Sequence, residues 1–243
     1  MGTDHTKYME EKKSAWKIFD RIYKKYDLLN HLLSFGFDFR WRKKLSVLKG
    51  NKKNSSLLDL ATGTGDVLFS LIKHSEGFNK VVGVDMSYNM LDYAVRKSLR
   101  NGTEQKVDFV LGDANSIPVR TGSFDIITMA FGIRNISVPA NALKEILRVL
   151  TPGGRALILE FSLPGNKILK KLHLFYLRYF LPVIGKIVSG DVEAYRYLNK
   201  TIETFPYCDR FVKLMEDSGF AGCEKFPMTL GVVTIYRGIR KDG

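Results

Sequence analysis

The residues best suited to chemistry surround a Gly-Thr-Gly turn in the stretch 57–66, which reads LLDLATGTGD. The pattern predicts a short buried strand, a tight turn and a helix that begins at Asp66. Gly63 and Gly65 can adopt backbone angles that other residues avoid, and they let a ligand approach the main chain. Free N–H groups at the start of the helix favour an anionic group on that ligand. The stretch therefore predicts a site for a small nucleoside-like cofactor.

The turn differs from two common nucleotide-binding patterns. A dinucleotide site has the sequence G-x-G-x-x-G, whereas Leu68 stands at the third glycine position here. The Gly-Lys-Ser/Thr of a phosphate-binding loop is absent. S-adenosylmethionine carries no phosphate; its carboxylate can use the helix start, and its ammonium needs acceptors such as Asp59 or loop carbonyls. The run DLATGTGD resembles the first motif of class I methyltransferases, although a Gly-x-Gly turn alone also fits a plain strand-to-helix connection.

Two further predicted strands are followed by acidic residues. The run 80–85 ends at Asp85, 20 residues after Gly65, where a carboxylate can accept both ribose hydroxyls of an adenosine cofactor. The run 107–111 precedes Gly112-Asp113-Ala114, and in the methyltransferase pattern this Asp-Ala pair lies against the adenine. Alone, Asp85 is more typical of a helix cap, but three acid-tipped strands in chain order favour a cofactor site. The residues predicted to bind the cofactor are Asp59, Gly63, Thr64, Gly65, Asp85, Met86, Asp113, Ala114 and Ala130.

Polar residues that follow the fourth predicted strand are candidates for catalysis. Ligands bind at the carboxyl ends of parallel strands, so Arg134 and Asn135 would reach over the sulfonium of the cofactor. The alternative for Arg134 is a salt bridge from a surface loop, which contributes little. Tyr26 and Asp27 form a second polar cluster with Asn30, in a helical run whose other aromatic residues fit core packing.

Strand and helix patterns alternate from residue 56, which predicts an α/β fold with a doubly wound, Rossmann-like, mostly parallel sheet. Strands are expected at 56–60, 80–85, 107–111, 124–130 and 155–161, and helices at 66–74, 88–99 and 139–149. Two further β-rich runs within 222–239 are expected to close the sheet as an antiparallel pair. The 243 residues fit a single domain, 1–243, with a helical N-terminal cap at 14–50 and a helical insertion at 163–206.

The net charge of +13 indicates an anionic partner, which is nucleic acid, a membrane surface or an acidic substrate. The run 167–181, KILKKLHLFYLRYFL, separates basic from apolar and aromatic side chains, as a membrane-surface helix does. A lid helix that packs on the domain, or a dimer contact, fits the same pattern. The chain has no run of 18 apolar residues, and its first 13 residues lack the apolar segment of a secretory signal. Cys208 and Cys223 fit reduced thiols and no metal motif. We therefore expect a cytoplasmic protein, attached peripherally to the inner face of the membrane, with no nucleic-acid partner.

Five motifs together resemble the UbiE/MenG quinone-ring C-methyltransferases. They are YDLLNHLLSFGFDFRWRKK (26–44), DLATGTGD (59–66), FGIRN (131–135), RVLTPGGRALILEFS (148–162) and AYRYLNKTIETFP (194–206). The resemblance covers the chain after its first dozen residues. Two departures are that Leu29 stands where the family often has Met, and that Asp38 and Phe39 vary the usual His-Arg-x-Trp run.

The resemblance implies a class I methyltransferase fold and C-methylation of a polyprenylated quinol by S-adenosylmethionine. Demethylmenaquinol is the favoured substrate, and some members of the family also serve the ubiquinone pathway. We expect Arg134 to hold the quinol oxyanion and Asn135 to orient the loop. Tyr26 and Asp27 are expected to bind the quinol hydroxyl or relay its proton, and no metal is required. The alternatives are a methyltransferase that acts on another lipid or on RNA; AFGIRN replaces the N/D-P-P-Y/F tetrapeptide that amino-group methylation often uses.

Overall fold

Seven strands form one sheet in the computed structural model, which describes residues 10–12, 14–75, 77–188 and 192–242. The strands are β1 (Ser55–Leu60), β2 (Phe78–Asp85), β3 (Asp108–Leu111), β4 (Phe124–Ala130), β5 (Leu150–Phe161), β6 (Ala221–Met228) and β7 (Val233–Ile239). Their order across the sheet is β3-β2-β1-β4-β5-β7-β6. Neighbours from β1 to β5 are parallel, and β7 is antiparallel to both β5 and β6. The predicted doubly wound sheet with an antiparallel C-terminal strand is confirmed.

Helices connect the strands and cover both faces of the sheet. They are α1 (Ala15–Leu33), α2 (Phe37–Leu48), α3 (Asp66–Lys73), α4 (Tyr88–Asn101), α5 (Pro139–Val149), α6 (Lys167–Phe175), α7 (Leu181–Val188), α8 (Val192–Thr204) and α9 (Asp209–Asp217). Local signals set their ends. The Ser87 side chain accepts the backbone N–H of Met90 at the start of α4, and Gly102 ends that helix in a left-handed conformation. Pro139 occupies the first turn of α5.

The fifth strand begins earlier than the predicted range 155–161. Leu150 already pairs with Phe124, whereas the next regular pair joins Arg155 to Ile126. The Pro-Gly-Gly sequence between them therefore forms a bulge within the strand and not a separate turn. The bulge arises because Pro152 cannot donate to the ladder and Gly153 has φ of 71°.

Every residue of β1 is buried, as expected for a central parallel strand that is covered on both faces. Leu58 and Leu60 pack in one cluster with residues of α5 and α9, whereas Leu57 packs in another with Trp41 of α2 and Leu68 of α3. The two clusters alternate along the strand because successive side chains point to opposite faces. The carboxyl end of β1, where the Gly-Thr-Gly turn begins, is thereby fixed from both sides.

The segments 14–50 and 163–206 contain α1, α2 and α6 to α8. The predicted helix 167–181 is α6, which continues through a π-helical turn at Tyr176–Phe180 into α7. Leu29 of α1 packs in one cluster with Leu177 and Leu181. The Tyr176 hydroxyl donates to the Leu33 carbonyl at 3.1 Å, so the insertion is joined to α1. Within the described ranges, every helix is too short or too polar to cross a bilayer.

Candidate active site

Two adjoining cavities lie at the carboxyl ends of the central strands, where ligands bind in open α/β sheets. The cofactor cavity, of about 400 Å³, contacts the ends of β2 and β4, and the acceptor cavity, of about 370 Å³, extends beneath α6 and α7. Both volumes are typical of small-molecule sites. The residues that line both cavities form a shared wall, namely Phe19, Tyr26, Ala61, Gly63, Ala130 and Phe131.

Six of the nine predicted cofactor residues line the cofactor cavity: Gly63, Asp85, Met86, Asp113, Ala114 and Ala130. The Asp85 carboxylate accepts the backbone N–H groups of Gly63 and Ser87, each at 2.8 Å. Burial raises the pKa of Asp85, although these N–H donors partly oppose the effect. The carboxylate thereby joins the Gly-Thr-Gly turn to the end of β2.

The donors and acceptors in the cofactor cavity fit a nucleoside. The Asp85 carboxylate could accept from paired ribose hydroxyls, and the half-exposed Met86 could provide an apolar surface for a base. The Asn135 Oδ1 atom is buried and accepts no hydrogen bond from the described residues. A buried acceptor without a donor is costly, so this oxygen is available to a hydrogen-bond donor in the cavity.

The other three predicted cofactor residues lie elsewhere. Asp59 and Thr64 line the acceptor cavity, and Gly65 lines neither cavity. Thr62 and Thr128 donate their hydroxyls to Asp59 at 2.7 and 2.5 Å, and burial raises the pKa of Asp59 to about 6. Gly65 precedes α3 with φ of 81°, and a Cβ atom there would lie 2.6 Å from the Phe69 ring. The turn therefore favours a glycine at this position, and the contact of Gly65 with the cofactor stays a prediction.

Asp27 is held in an ion pair and lines neither cavity, so its expected contact with the quinol hydroxyl stays a prediction. Its carboxylate accepts from Thr64 Oγ1 at 2.5 Å and from Lys97 Nζ at 2.7 Å. Lys97 also contacts Asp66, which is paired with Arg42 at 2.9 Å. We refer to Asp27, Lys97, Asp66 and Arg42 as the ionic clamp, because they join α1, α2, α3 and α4.

Tyr26 lies in the shared wall between the two cavities. Its ring contacts Phe19 edge-on at 6.0 Å between centroids. Burial raises the pKa of Tyr26, although a hydrogen bond from Asn30 and the charge of Arg134 lower it. The hydroxyl is therefore neutral at physiological pH and can donate a hydrogen bond to an oxygen in the acceptor cavity.

Arg134 forms a salt bridge, but the pair is buried and does not lie in a surface loop. The residue is 3% exposed, and its NH1 atom donates to Glu160 at 2.8 Å and to the Phe131 carbonyl at 2.6 Å. Its Nε–H is buried and finds no acceptor among the described residues. Arg134 lines the acceptor cavity, whereas Asn135 lines the cofactor cavity, so the two residues lie on opposite sides of the shared wall.

A model of the ubiE/COQ5 methyltransferase family matches residues 6–240. The chain belongs to this family. It is 44% identical to the ubiquinone/menaquinone biosynthesis C-methyltransferase UbiE of Syntrophotalea carbinolica, over 92% of each chain. It is 43% identical to the demethylmenaquinone methyltransferase of Thermotoga maritima, over 93% of this chain and 96% of that protein.

Solved structures share the fold of this ubiE/COQ5 family member at lower identity. A SAM-dependent methyltransferase from Aquifex aeolicus superposes with a TM-score of 0.59 and 22% identity, over 82% of this chain and 89% of that chain. Phosphoethanolamine N-methyltransferase 2 of Haemonchus contortus, solved with S-adenosylhomocysteine, has a TM-score of 0.61 and 17% identity, over 83% of this chain and 53% of that chain. The fold is that of class I methyltransferases. The family member is a methyltransferase, and its methyl donor is S-adenosylmethionine.

Several side chains at the site of this family member were missed by sequence reasoning. They are Glu160, Lys97, Arg42 and His173. Glu160 lies within the LEFS segment, where an acidic residue in a buried strand was the available signal. His173 lines the acceptor cavity, and its buried Nε2 atom has no hydrogen-bond partner among the described residues. Burial lowers the pKa of His173, so the ring is neutral.

The backbone of the shared wall is strained at two non-glycine residues. Ala61 has φ of 49° and Phe131 has φ of 56°, both in the left-handed region. Gly132 follows Phe131, and a Cβ atom there would lie 2.7 Å from the Cβ atom of Ala61. Strain of this kind persists where packing imposes it, and it is concentrated at functional sites.

Proposed function

We propose that this family member methylates a ring carbon of a polyprenylated quinol. Demethylmenaquinol, converted to menaquinol, is the first candidate and the ubiquinone precursor is the second. The observation that carries the proposal is the two-part lining of the acceptor cavity. In one part of the cavity, Tyr26 and Arg134 offer polar groups to a ring. In the other part, beneath the insertion, five leucines line it, namely Leu169, Leu172, Leu177, Leu181 and Leu198.

The chemistry needs an electron-rich ring carbon in line with the methyl group. S-adenosylmethionine supplies that methyl group on a sulfonium, which keeps the bonding electron pair when the new C–C bond forms. The ring carbon then loses its hydrogen to water as a proton. A neutral Tyr26 hydroxyl can donate to one quinol oxygen, and the Arg134 Nε–H can stabilise the negative charge that develops there. Asp59, which lines the acceptor cavity, would accept a hydrogen bond from the ammonium of the donor.

The decisive experiment supplies the purified protein with labelled S-adenosylmethionine and reduced demethylmenaquinone, and follows the product by mass spectrometry. We expect one methyl group on the ring of the quinol and none on the oxidised quinone, whose ring carbon is electron-poor. Cells that lack the protein should accumulate the unmethylated quinone, and a restored copy should remove it. Methylation of RNA or of another lipid, with both quinols untouched, would establish the alternative class.

The role of Arg134 is tested by Arg134→Lys. Replacement by alanine would leave Glu160 as an uncompensated buried charge, which costs about 3–5 kcal/mol and can unfold the protein. Lysine keeps a positive charge near Glu160 but has no Nε–H, so we expect kcat to fall by about a hundredfold with the affinity for S-adenosylmethionine unchanged. The matched control is Arg148→Lys, which alters the partly exposed pair with Glu145. Equal kcat values for the two variants would show that Arg134 has no role in catalysis.

We also propose that the protein is one domain, 1–243, whose insertion 163–206 is a lid over the acceptor cavity and a contact with the cytoplasmic membrane surface. Two faces of α6 support the two uses. Leu169 and His173 line the acceptor cavity, whereas Ile168, Phe175 and the following Tyr179 are exposed. We expect sedimentation with anionic vesicles, lost as salt rises, and none with zwitterionic vesicles. Equal binding to both vesicle types, or tighter binding to RNA, would contradict this proposal.

A further inference from the structure

Two large apolar side chains stand in solvent at the rim of the acceptor cavity. Phe35, between α1 and α2, is 76% exposed, and Leu230, between β6 and β7, is 74% exposed. Both residues also line the acceptor cavity, and so do the exposed Phe37 and Leu172. Exposed apolar groups scattered singly need no explanation, but a contiguous group around an opening indicates a binding surface.

Phe35 and Leu230 are held outward by turns that large side chains rarely occupy. Phe35 has φ of 50° and Leu230 has φ of 57°, and each is followed by a glycine that is also left-handed. Hydrogen bonds fix both turns. Gly36 donates to the His31 carbonyl at 2.9 Å. Trp41 Nε1 donates to Thr229 Oγ1 at 2.8 Å, in the turn that carries Leu230. These two side chains are therefore exposed to water at positions where the backbone conformation is unfavourable.

The segments that form the rim carry almost exclusively positive charge. The stretches 28–44, 164–181 and 228–232 contain eight lysine and arginine residues, and their only acidic residue is Asp38. Asp38 is buried and paired with Arg42, so it presents no charge to a partner. Lys43, Lys167 and Lys171 are among the exposed cations. An apolar rim within a basic surface matches the hydrocarbon and the headgroups of an anionic bilayer.

We infer that the rim of the acceptor cavity enters an anionic bilayer, with Phe35 and Leu230 as the inserted side chains. The inference rests on the proposed quinol substrate, because a polyprenylated molecule resides in the bilayer that the cavity mouth would face. It places insertion at the turns 34–36 and 229–231. The quinol then moves from the bilayer into the cavity without crossing solvent.

The test is a double substitution, Phe35→Asn and Leu230→Asn. Asparagine tolerates left-handed backbone better than most residues, so the two turns are retained. We expect the partition coefficient onto phosphatidylglycerol vesicles without quinol to fall by about tenfold for each lost side chain. The control Leu99→Asn replaces an apolar residue on α4 that is 59% exposed, and it should leave partition unchanged. Unchanged affinity for S-adenosylmethionine reports that each variant is folded, because neither residue lines the cofactor cavity.

A second variant measures insertion directly. Tryptophan at position 35 (Phe35→Trp) should be quenched by brominated lipids beyond the background from Trp16 and Trp41 of the unsubstituted protein. Equal partition of the double variant and the unsubstituted protein, or no added quenching, would overturn the inference. So would a dimer that the double substitution converts to monomers while vesicle binding persists, because the rim would then contact a second copy. The vesicles contain no quinol, so a failure of the proposed reaction appears only in the separate methyl-transfer assay.

Discussion

At the scale of single residues, the site contains two buried carboxylates whose hydrogen-bond partners differ in charge. Glu160 is fully buried, yet it accepts the Arg134 guanidinium and the backbone N–H groups of Arg134 and Phe161. Asp59 is equally buried, but its partners are the hydroxyls of Thr62 and Thr128, which carry no charge. Burial raises the pKa of Asp59 to about 6, because these hydroxyl donors only partly oppose the effect. A cationic ligand group next to Asp59 would supply the missing charge.

The substitution Asp59→Asn should stabilise the protein without cofactor while weakening cofactor binding. Because the folded-state pKa is raised from 3.8 to about 6, ionisation of Asp59 opposes folding above that range. At about 1.4 kcal/mol per pKa unit, the cost reaches about 3 kcal/mol at pH 8 and vanishes as pH falls below the unfolded value. In urea unfolding at several pH values, the variant should exceed the unsubstituted protein in free energy of unfolding. From the two pKa values, this difference should grow between about pH 4 and 6 and stay constant above that range. A difference that does not change with pH would contradict the raised pKa of Asp59.

At the scale of elements, the ionic clamp sets the position of the N-terminal helices against the cofactor turn. Thr64 of the turn is joined to Asp27 of α1, and Asp27 is joined to Lys97 of α4. Burial lowers the pKa of Lys97, but the carboxylates of Asp66 and Asp27 more than offset this effect. The net pKa of Lys97 is raised, so the ammonium is charged. The clamp thus places α1, and with it Tyr26, against the wall between the two cavities.

Removal of the central cation by Lys97→Met should leave two partly buried carboxylates facing each other. We expect the free energy of unfolding to fall by about 3 kcal/mol and the KM for S-adenosylmethionine to rise more than kcat falls. Lys97→Arg should restore both properties in large part. The matched control on the same helix is Arg96→Met, which breaks an exposed pair with Asp92 and should change stability by less than about 1 kcal/mol. Equal effects of the two methionine variants on KM would show that the clamp does not position the cofactor turn.

At the scale of the whole molecule, the sequence allowed the sheet to be predicted well because its signals are local. Apolar runs gave the strands, and the acid after each run gave Asp85 and Asp113 at the strand ends. Pairings between distant segments carry no such signal. The partner of Arg134 lies 26 residues away, and Asp27 meets Lys97 at a separation of 70 residues. Side-chain type alone therefore could not show that Arg134 is paired with Glu160 or that Asp27 is paired with Lys97.

The size of the acceptor cavity predicts indifference to the length of the prenyl tail. A volume of about 370 Å³ accommodates a ring and the beginning of a tail, so a longer tail must extend beyond the mouth. We expect quinols in detergent micelles to share one KM, within about twofold, once the tail exceeds the cavity. A KM that changes with every added isoprene unit would mean that the protein binds the tail along its length.

The exposed rim around Phe35 and Leu230 affects how the rate of methylation depends on the amount of quinol. An enzyme that remains seated on a bilayer meets its substrate in two dimensions. Its rate follows the number of quinol molecules per unit area of membrane, and the quantity of quinol per volume of cell becomes irrelevant. Adding inert lipid would slow the reaction by surface dilution, although every molecule of enzyme, donor and quinol is still present.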